Sequence, residues 1–414
     1  MDIAIIGGGA AGMATAYYLS KNGHHVTVYE KQPILGGNIR TLNKNVHVSQ
    51  LDPNLTLEAG VIEFPDVFHN FMGLMKELDV ALEPVEMGSA ILLKNGRHVL
   101  SPTMIKRNIK GVRQVPEYLR LINVYASAAG LWLKTQLPKY GYAKHLNCST
   151  KLHDKPLSQY VGQNNDGNNW FKSLVMYSYS IPFRNIGQVP AELAVSAMRD
   201  YVWADWVRIK GGVYSYIEKI LMHLNGEVVL NAEIESITRK KNVVKLVLAD
   251  KSEHLFDKVV FAMPPDQVLK LLSDPSPEEV KRFSAWQKNR ATTLIHTDIS
   301  MYARYGVKQT SEFDFFETDN AWGYNCSLNQ LCGLKSSTHY NLAFNLESLI
   351  DKKLIVHSQE HNTPLYTVEA FHYRDEIIKM NGENNTYHAG AYLQDGLHEG
   401  AITSATQAAQ LIGL

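Results

Sequence analysis

The chain is poor in cysteine. Its 414 residues hold three, Cys148, Cys326 and Cys332. That odd number, without metal-ligand spacing, predicts neither a disulfide framework nor a metal site and fits a reducing compartment. Charge of one sign is not in excess: 41 basic and 41 acidic residues give a net charge of zero. The electrostatic argument for a nucleic-acid partner is thereby removed. Long apolar runs are missing too. The nearest, LINVYASAAGLWL at Leu121–Leu133, is too short to span a bilayer. No basic region precedes Ile3–Ile6, so these residues read as a strand rather than a leader, and a cytoplasmic protein is expected. Repeats and low-complexity tracts are absent. What is present is a globular composition, 45% hydrophobic and 20% charged, in a chain long enough for two domains.

The chain opens MDIAIIGGGAAGMATAYYL. Asp2–Ile6 is a short apolar run of the kind that forms a buried parallel strand. Gly7, Gly9 and Gly12 follow as G-x-G-x-x-G. The first glycine permits a tight turn, the second lets backbone approach a pyrophosphate, and the third lets the next helix pack against the sheet. A helix from Ala10 to Leu19, with Ala11 in its first turn, would offer free N–H groups to phosphate. HHVTVYE then reads as a second strand ending in Glu30, placed to accept hydrogen bonds from a ribose diol, with Lys31 beside it. Strand, turn, helix, strand and terminal acid together predict a dinucleotide site.

Past Glu30 comes KQPILGGNIRT, with Gly36-Gly37, Asn38 and Arg40. Here the chain resembles the FAD-binding flavoproteins of the amine oxidase superfamily, in which a G-G-x-x-R/T segment follows the ribose-binding acid. The resemblance continues in LEAGVIEF (Leu57–Phe64), IKGGVYSYIEKI (Ile209–Ile220), EVVLNAEIESI and KVVFAMPP. It implies that Gly60 and Ile62 lie beside the isoalloxazine ring. It also implies that the backbone of Ile234, or of Glu233, pairs with adenine. The closing YHAG…GLHEGAI matches the family's F-A-G…G-Y-x-x-G-A segment. Gly390 would then lie near the ribitol and pyrophosphate, and the amides of Ala401 and Ile402 would cap the flavin pyrimidine. A helix N-terminus there would stabilise the negative charge of reduced flavin. No cysteine lies in this segment, so noncovalent FAD is expected. WQKNRATTLIHTDISM and NAWGYNCSL look like a bacterial subgroup of predicted NAD/FAD-binding proteins loosely associated with fatty-acyl modification. HLNGEVVL, VMYSYSIPF and VPAELAVSAMRDYVWAD resemble, more faintly, flavin-dependent isomerases of polyunsaturated fatty acids.

The departures bear on function. Where the family's amine oxidases carry an aromatic ring facing the flavin, this chain has Leu397, followed by His398. An aliphatic wall has no quadrupole to steer an amine; it suits a hydrocarbon, unless Leu397 is simply core. Tyr373 is a candidate for one aromatic of the pocket. Lys288 is either the lysine that holds a water at the flavin or a surface residue. His296 and Asp298 in LIHTD would share a strand face, as a catalytic pair or a structural hydrogen bond. No residue is assigned a catalytic role, and no metal is expected.

The middle of the chain reads as helical, without a glycine fingerprint. Lys106, Arg107, Lys110, Arg113, Arg120, Lys134, Lys139 and Lys144 surround apolar positions, with Glu117 the one acid. Such a stretch is either the solvated face of a substrate domain or a peripheral contact with anionic lipid. Tyr118, Tyr125, Trp132, Tyr177, Tyr179, Phe183 and Trp203 are candidates for a pocket or for core. The expected fold is α/β: a Rossmann-like FAD-binding domain of the glutathione-reductase (GR2) type from residues 1–75, 205–265 and 359–414. An α+β substrate domain would come from 76–204 and 266–358. The expected activity is FAD-dependent hydride transfer from a hydrophobic small molecule, an unsaturated acyl chain being one candidate. A redox-neutral double-bond isomerase, an amine oxidase and a non-catalytic flavin-binding protein are the alternatives. No motif selects the electron acceptor.

Overall fold

The computed structural model describes residues 1–136, 155–161, 166–194, 204–241, 243–307, 310–319 and 321–413. Lys139, Lys144, Cys148 and Trp203, and the side chains of Trp132 and Lys134, lie outside the described residues.

Asp2–Ile6 is apolar after its first residue, and its strand is buried on both faces, as a strand in the middle of a parallel sheet must be. The sheet runs Gly226–Val229, His25–Tyr29, Asp2–Ile6, Lys258–Phe261, Thr386–His388, parallel throughout. The helix Ala10–Lys21 returns the chain between the first two strands and runs two residues beyond the expected Leu19. It packs against the closing helix His398–Gly413. Ala11, Ala14 and Ala16 on one helix share a buried cluster with Ala401, Ala405, Ala408 and Ala409 on the other. Small side chains let helix axes come close. Both helices therefore start at the carboxyl edge of the sheet, where ligands bind in folds of this kind.

A seven-stranded mixed sheet covers that edge. Its order is Ile355–Leu365, Gln287–His296, Asn341–Phe344, Trp322–Ser327, Phe313–Glu317, Ser89–Leu92, His98–Leu100. Residues 76–204 are thus less helical than expected. Leu82–Val85, Ser89–Leu92 and His98–Leu100 are strands of three or four residues. Leu82–Val85 pairs with the distant Trp206–Ile209. Ser89–Leu92 and His98–Leu100 form a local hairpin that the distant Phe313–Glu317 joins to the sheet. The divide expected between 358 and 359 falls inside Ile355–Leu365, whose ladder with Gln287–His296 continues to Leu365. The chain re-enters the parallel sheet only after that strand, at Thr386–His388.

A buried ion pair fastens the antiparallel meander of Ile234–Lys240, Val243–Leu248 and Glu253–Phe256 to the helix Pro277–Ser284. Arg239 Nη2 donates to Glu279 Oε2 at 2.8 Å, and both side chains are 2% exposed. Glu279 also closes a capping box with Ser276, accepting its backbone N–H at 2.8 Å. Arg239 keeps a second partner in Asp274, 3.1 Å from Nε, so losing Glu279 removes charge-assisted hydrogen bonds and the helix cap without leaving the guanidinium wholly unpaired. Glu279→Ala should lower the unfolding free energy by about 2–3 kcal/mol, read from the midpoint of urea denaturation.

Candidate active site

A cleft of about 980 Å³ follows the carboxyl ends of the parallel strands. Gly7, Gly9, Glu30, Ala262, Met263 and Gly390 border it below. Thr293, Tyr324, Leu342 and the run from Gln359 to Pro364 border it from the mixed sheet. It gathers most of the expected cofactor residues: Gly7, Gly9, Ala11, Glu30, Lys31, Gly37, Asn38, Arg40, Gly60, Ile62, Ile234, Gly390 and Ala401.

The glycines of the fingerprint have different causes. Gly7 has φ +110°, and a Cβ there would lie 2.5 Å from Ala262 O. At Gly12 a Cβ would lie 1.9 Å from Gly7 O. Both serve the fold, and Gly12 does not line the cleft. Gly9 has an ordinary φ of −80°. A Cβ on it would meet no protein atom nearer than Gly37 Cα, at 3.6 Å. The bare backbone opens onto the cleft, which is what a pyrophosphate needs at a helix start. Arg40 fits the same group. Its guanidinium is buried, and its one hydrogen bond among the described residues goes to Ile39 O at 3.1 Å. Burial pushes its pKa down; an anionic ligand would reverse that.

Glu30 serves fold and ligand together. Its Oε2 accepts the Gly8 N–H at 2.8 Å and its Oε1 the Gln32 N–H at 2.9 Å, leaving lone pairs toward the cleft for ribose hydroxyls. Lys31 Nζ donates to Gln267 at 2.7 Å, and Asn38 Nδ2 to Asn362 O at 3.4 Å. Glu233 and Ile234 both border the cleft near Glu30, whose carbonyl accepts the Ala232 N–H at 2.9 Å. At Gly60 a Cβ would lie 2.1 Å from Asn38 O and 3.0 Å from the His361 ring. His361 was not anticipated. Its Nε2 lies 2.9 Å from Ala59 O and 3.0 Å from Thr293 Oγ1, and burial lowers its pKa to about 4. It is a neutral ring that fixes the backbone beside Gly60.

The closing helix departs from expectation. Ala401 N–H already donates to Leu397 O at 3.0 Å. Ile402 is fully buried in the helical core and does not line the cleft. The N–H groups of Leu397 and Gly400 both go to Asp395 Oδ1, at 2.9 Å. The amides of Leu397, Gly400 and Ala401 thus already have protein partners. Burial pushes Asp395 up to about 6, and when ionised it would offset the positive end of the helix. His398 borders the cleft but shares a 2.8 Å hydrogen bond with Tyr216 Oη and sits edge-on to Phe64 and Phe71. Burial holds its pKa well below the ordinary value, so it stays neutral.

Leu397 lines the cleft; Tyr373 does not, and instead lies under Lys281. Aromatic walls come from Tyr177, Tyr179, Tyr324, Tyr366 and Tyr392. Tyr179 and Tyr366 have centroids 5.6 Å apart at 64°, and Tyr177 and Tyr324 5.4 Å apart at 89°. The rings of each pair pack edge-to-face on each other. Tyr125 and Phe183 pack on Trp170 and Trp322. Lys288 is exposed and off the cleft. His296 bonds Asn325 Oδ1 at 2.8 Å, while Asp298 caps the amides of Ser300 and Asp351. The strand ends at His296, so the two do not form a pair on one face, and neither borders the cleft.

Glu63 is the functional candidate that sequence reasoning passed over. It lines the cleft and is 6% exposed. The Tyr177 hydroxyl donates to Oε1, and Oε2 has no partner among the described residues. Burial, then the neighbouring Glu58 carboxyl, pushes it up to about 8. The available signal was an acid inside the apolar run LEAGVIEF. Among the described residues, no group of three or more His, Cys, Asp or Glu side chains is placed to hold a metal.

Fold and cleft together define a flavin-dependent oxidoreductase, and FAD is its cofactor. The chain belongs to the flavin containing amine oxidoreductase family, whose model matches residues 10–298. Among solved structures it is similar to a CLA-producing fatty acid isomerase from P. acnes. That match has 17% identity and a TM-score of 0.69, covering 99% of this chain and 97% of the other. It is similar to putrescine oxidase bound to putrescine, at 15% identity and TM-score 0.67, over 100% and 99%. Cyclohexylamine oxidase from Brevibacterium oxydans IH-35A matches at 15% identity and TM-score 0.65, over 100% and 98%. These identities speak to fold. A 4,4'-diapophytoene desaturase of Staphylococcus aureus is 35% identical over 68 residues, 16% of this chain and 13% of the desaturase.

A Cβ at Gly9 would meet the protein only at an ordinary contact distance, 3.6 Å from Gly37 Cα, so a carboxylate-bearing side chain there would occupy the pyrophosphate space without a backbone clash. Gly9→Glu should therefore fold with an unchanged far-ultraviolet circular dichroism spectrum yet purify colourless, without FAD.

Proposed function

We propose that this enzyme removes a hydride from a carbon of a hydrophobic substrate, an unsaturated acyl chain. The observation that carries the reading is the apolar and aromatic lining of the chamber. Ile62, Phe64, Leu342, Leu397 and the tyrosines border it, and the tyrosine pairs in contact there, Tyr179 with Tyr366 and Tyr177 with Tyr324, meet edge-to-face rather than face to face. The fold shared with a fatty acid isomerase supports an acyl chain, and the short stretch shared with a diapophytoene desaturase supports only the broader class of unsaturated hydrocarbon chains.

Gly9 and Arg40 would hold the pyrophosphate, Glu30 the ribose, and the Gly60 backbone the ring. Bound FAD supplies the two-electron acceptor. The chain's own residues do the rest. The aromatic wall orients the acyl chain and excludes water, which strengthens every polar interaction inside. Desaturation also releases a proton: the electron pair of the adjacent C–H bond becomes the new π bond. Glu63 Oε2 takes that proton, with the Tyr177 hydroxyl holding the carboxyl in place. A carboxyl with a pKa near working pH suits this role.

The same carboxyl also favours a second reading, an amine oxidase, since ionised Glu63 would attract an ammonium group. The two separate by product. Holoprotein incubated with an unsaturated fatty acid should return a lipid lacking two hydrogens. A lipid of unchanged mass with a moved double bond would mark an isomerase. Untouched lipid together with amine turnover would contradict the proposal. Glu63 is protonated below about pH 8 and ionised above it, so kcat should rise with pH up to that point. Glu63→Gln should lower kcat by roughly 10²–10⁴-fold and flatten that rise.

A further inference from the structure

The helix Gln114–Gln136 has two apolar faces. Glu117, Leu121 and Val124 point inward and are at most 9% exposed. Val115, Leu119 and Ile122 have the same i, i+4, i+7 spacing on the opposite side. They are 57%, 58% and 58% exposed, and Val112 in the turn before them is 86% exposed. A surface helix normally shows one apolar stripe, toward the core. This outward stripe concentrates four large apolar side chains within eleven residues.

Its rim is basic. Lys106, Lys110 and Arg113 are exposed, and no ion pair among the described residues engages them. Lys106 lies on the helix Pro102–Asn108, which packs against the longer one. Arg107 and Arg120 are tied to Glu312 and Glu117. A second copy of the chain is a poor occupant, because a two-fold contact would bring the basic rims together. A protein partner is less favoured too: the stripe carries Val, Leu and Ile rather than the Trp, Tyr and Arg that anchor interfaces. Aliphatic side chains inside a basic rim match the interface of a bilayer with negative headgroups.

The stripe is one layer from the chamber. The helix Asp166–Tyr179 lies beneath it, with the rings of Tyr125 and Trp170 5.9 Å apart across the contact. Tyr177, Ser178 and Tyr179 at the end of that helix line the cleft. Among the described residues no helix is long and apolar enough to cross a membrane, so the contact would be peripheral.

We propose that Val112, Val115, Leu119 and Ile122, rimmed by Lys106, Lys110 and Arg113, dock this enzyme on a bilayer containing anionic lipid. The purpose of docking rests on the acyl-chain reading above, since a bilayer is where such chains are held. Its test does not rest on that reading. FAD-loaded full-length protein is floated with vesicles of mixed phosphatidylglycerol and phosphatidylcholine, and with phosphatidylcholine alone. It should float with the first, far less with the second, and be released by salt. The double variants L119D/I122D and K110E/R113E should each weaken partitioning by about tenfold or more while keeping the flavin spectrum. Wild-type protein that stays in solution would overturn the proposal, as would variants that float like wild type. A wild-type dimer that the variants split, without vesicle binding, would assign the stripe to a subunit contact and overturn it too. Protein that floats but leaves acyl lipid unchanged would support docking while contradicting the substrate reading.

Discussion

The structure depends on one approach of backbone to backbone. The turn after the first strand and the Gly36-Gly37 segment lie against each other. Gly36 N–H donates to Gly8 O at 2.8 Å, and a Cβ on Gly37 would lie 3.0 Å from Gly9 Cα. No side chain fits between them. Glu30 fastens the turn from below through Gly8 N–H. This contact sets the floor of the cofactor cleft, fixes where the first helix starts, and leaves Gly9 open toward a ligand. The alanine seam between the first and last helices then brings the C-terminal segment to the same edge.

Above that floor the dominant force is desolvation. Burial takes water away from Glu63, Glu58, His361 and His398 around the cleft. Desolvation raises the pKa of both acids and lowers that of both histidines. The histidines end as neutral, hydrogen-bonded parts of the scaffold. Glu63 differs because one of its oxygens has no protein partner. A buried, half-satisfied carboxyl is costly to a fold, and a substrate chamber is where such a cost has a use.

The cofactor half was legible because its demands are local. A strand, three glycines, a helix and a terminal acid follow one another within thirty residues, and each constrains its neighbours directly. The chamber was not, because long-range pairing builds it. Ser89–Leu92 joins the mixed sheet only because Phe313–Glu317 runs beside it. Tyr366 and Tyr179 meet across the fold, whereas Tyr373, closer in pattern to a pocket residue, turns away. The last helix teaches the same lesson at smaller scale. Its glycine pattern suggested a flavin cap, but Asp395 takes the Gly400 amide in its first turn and the Leu397 amide just before it. Glu63 stood in a quoted motif and still went unnoticed, since its burial comes from another sheet.

The central claim is that a carbon–hydrogen bond of an acyl chain, not an amine, delivers electrons to this flavin. The most direct measurement is the anaerobic visible spectrum of the purified protein, before and after an unsaturated fatty acid and, separately, a primary amine. The account predicts that the lipid bleaches the flavin absorbance while the amine leaves it oxidised. Bleaching by the amine alone would contradict it.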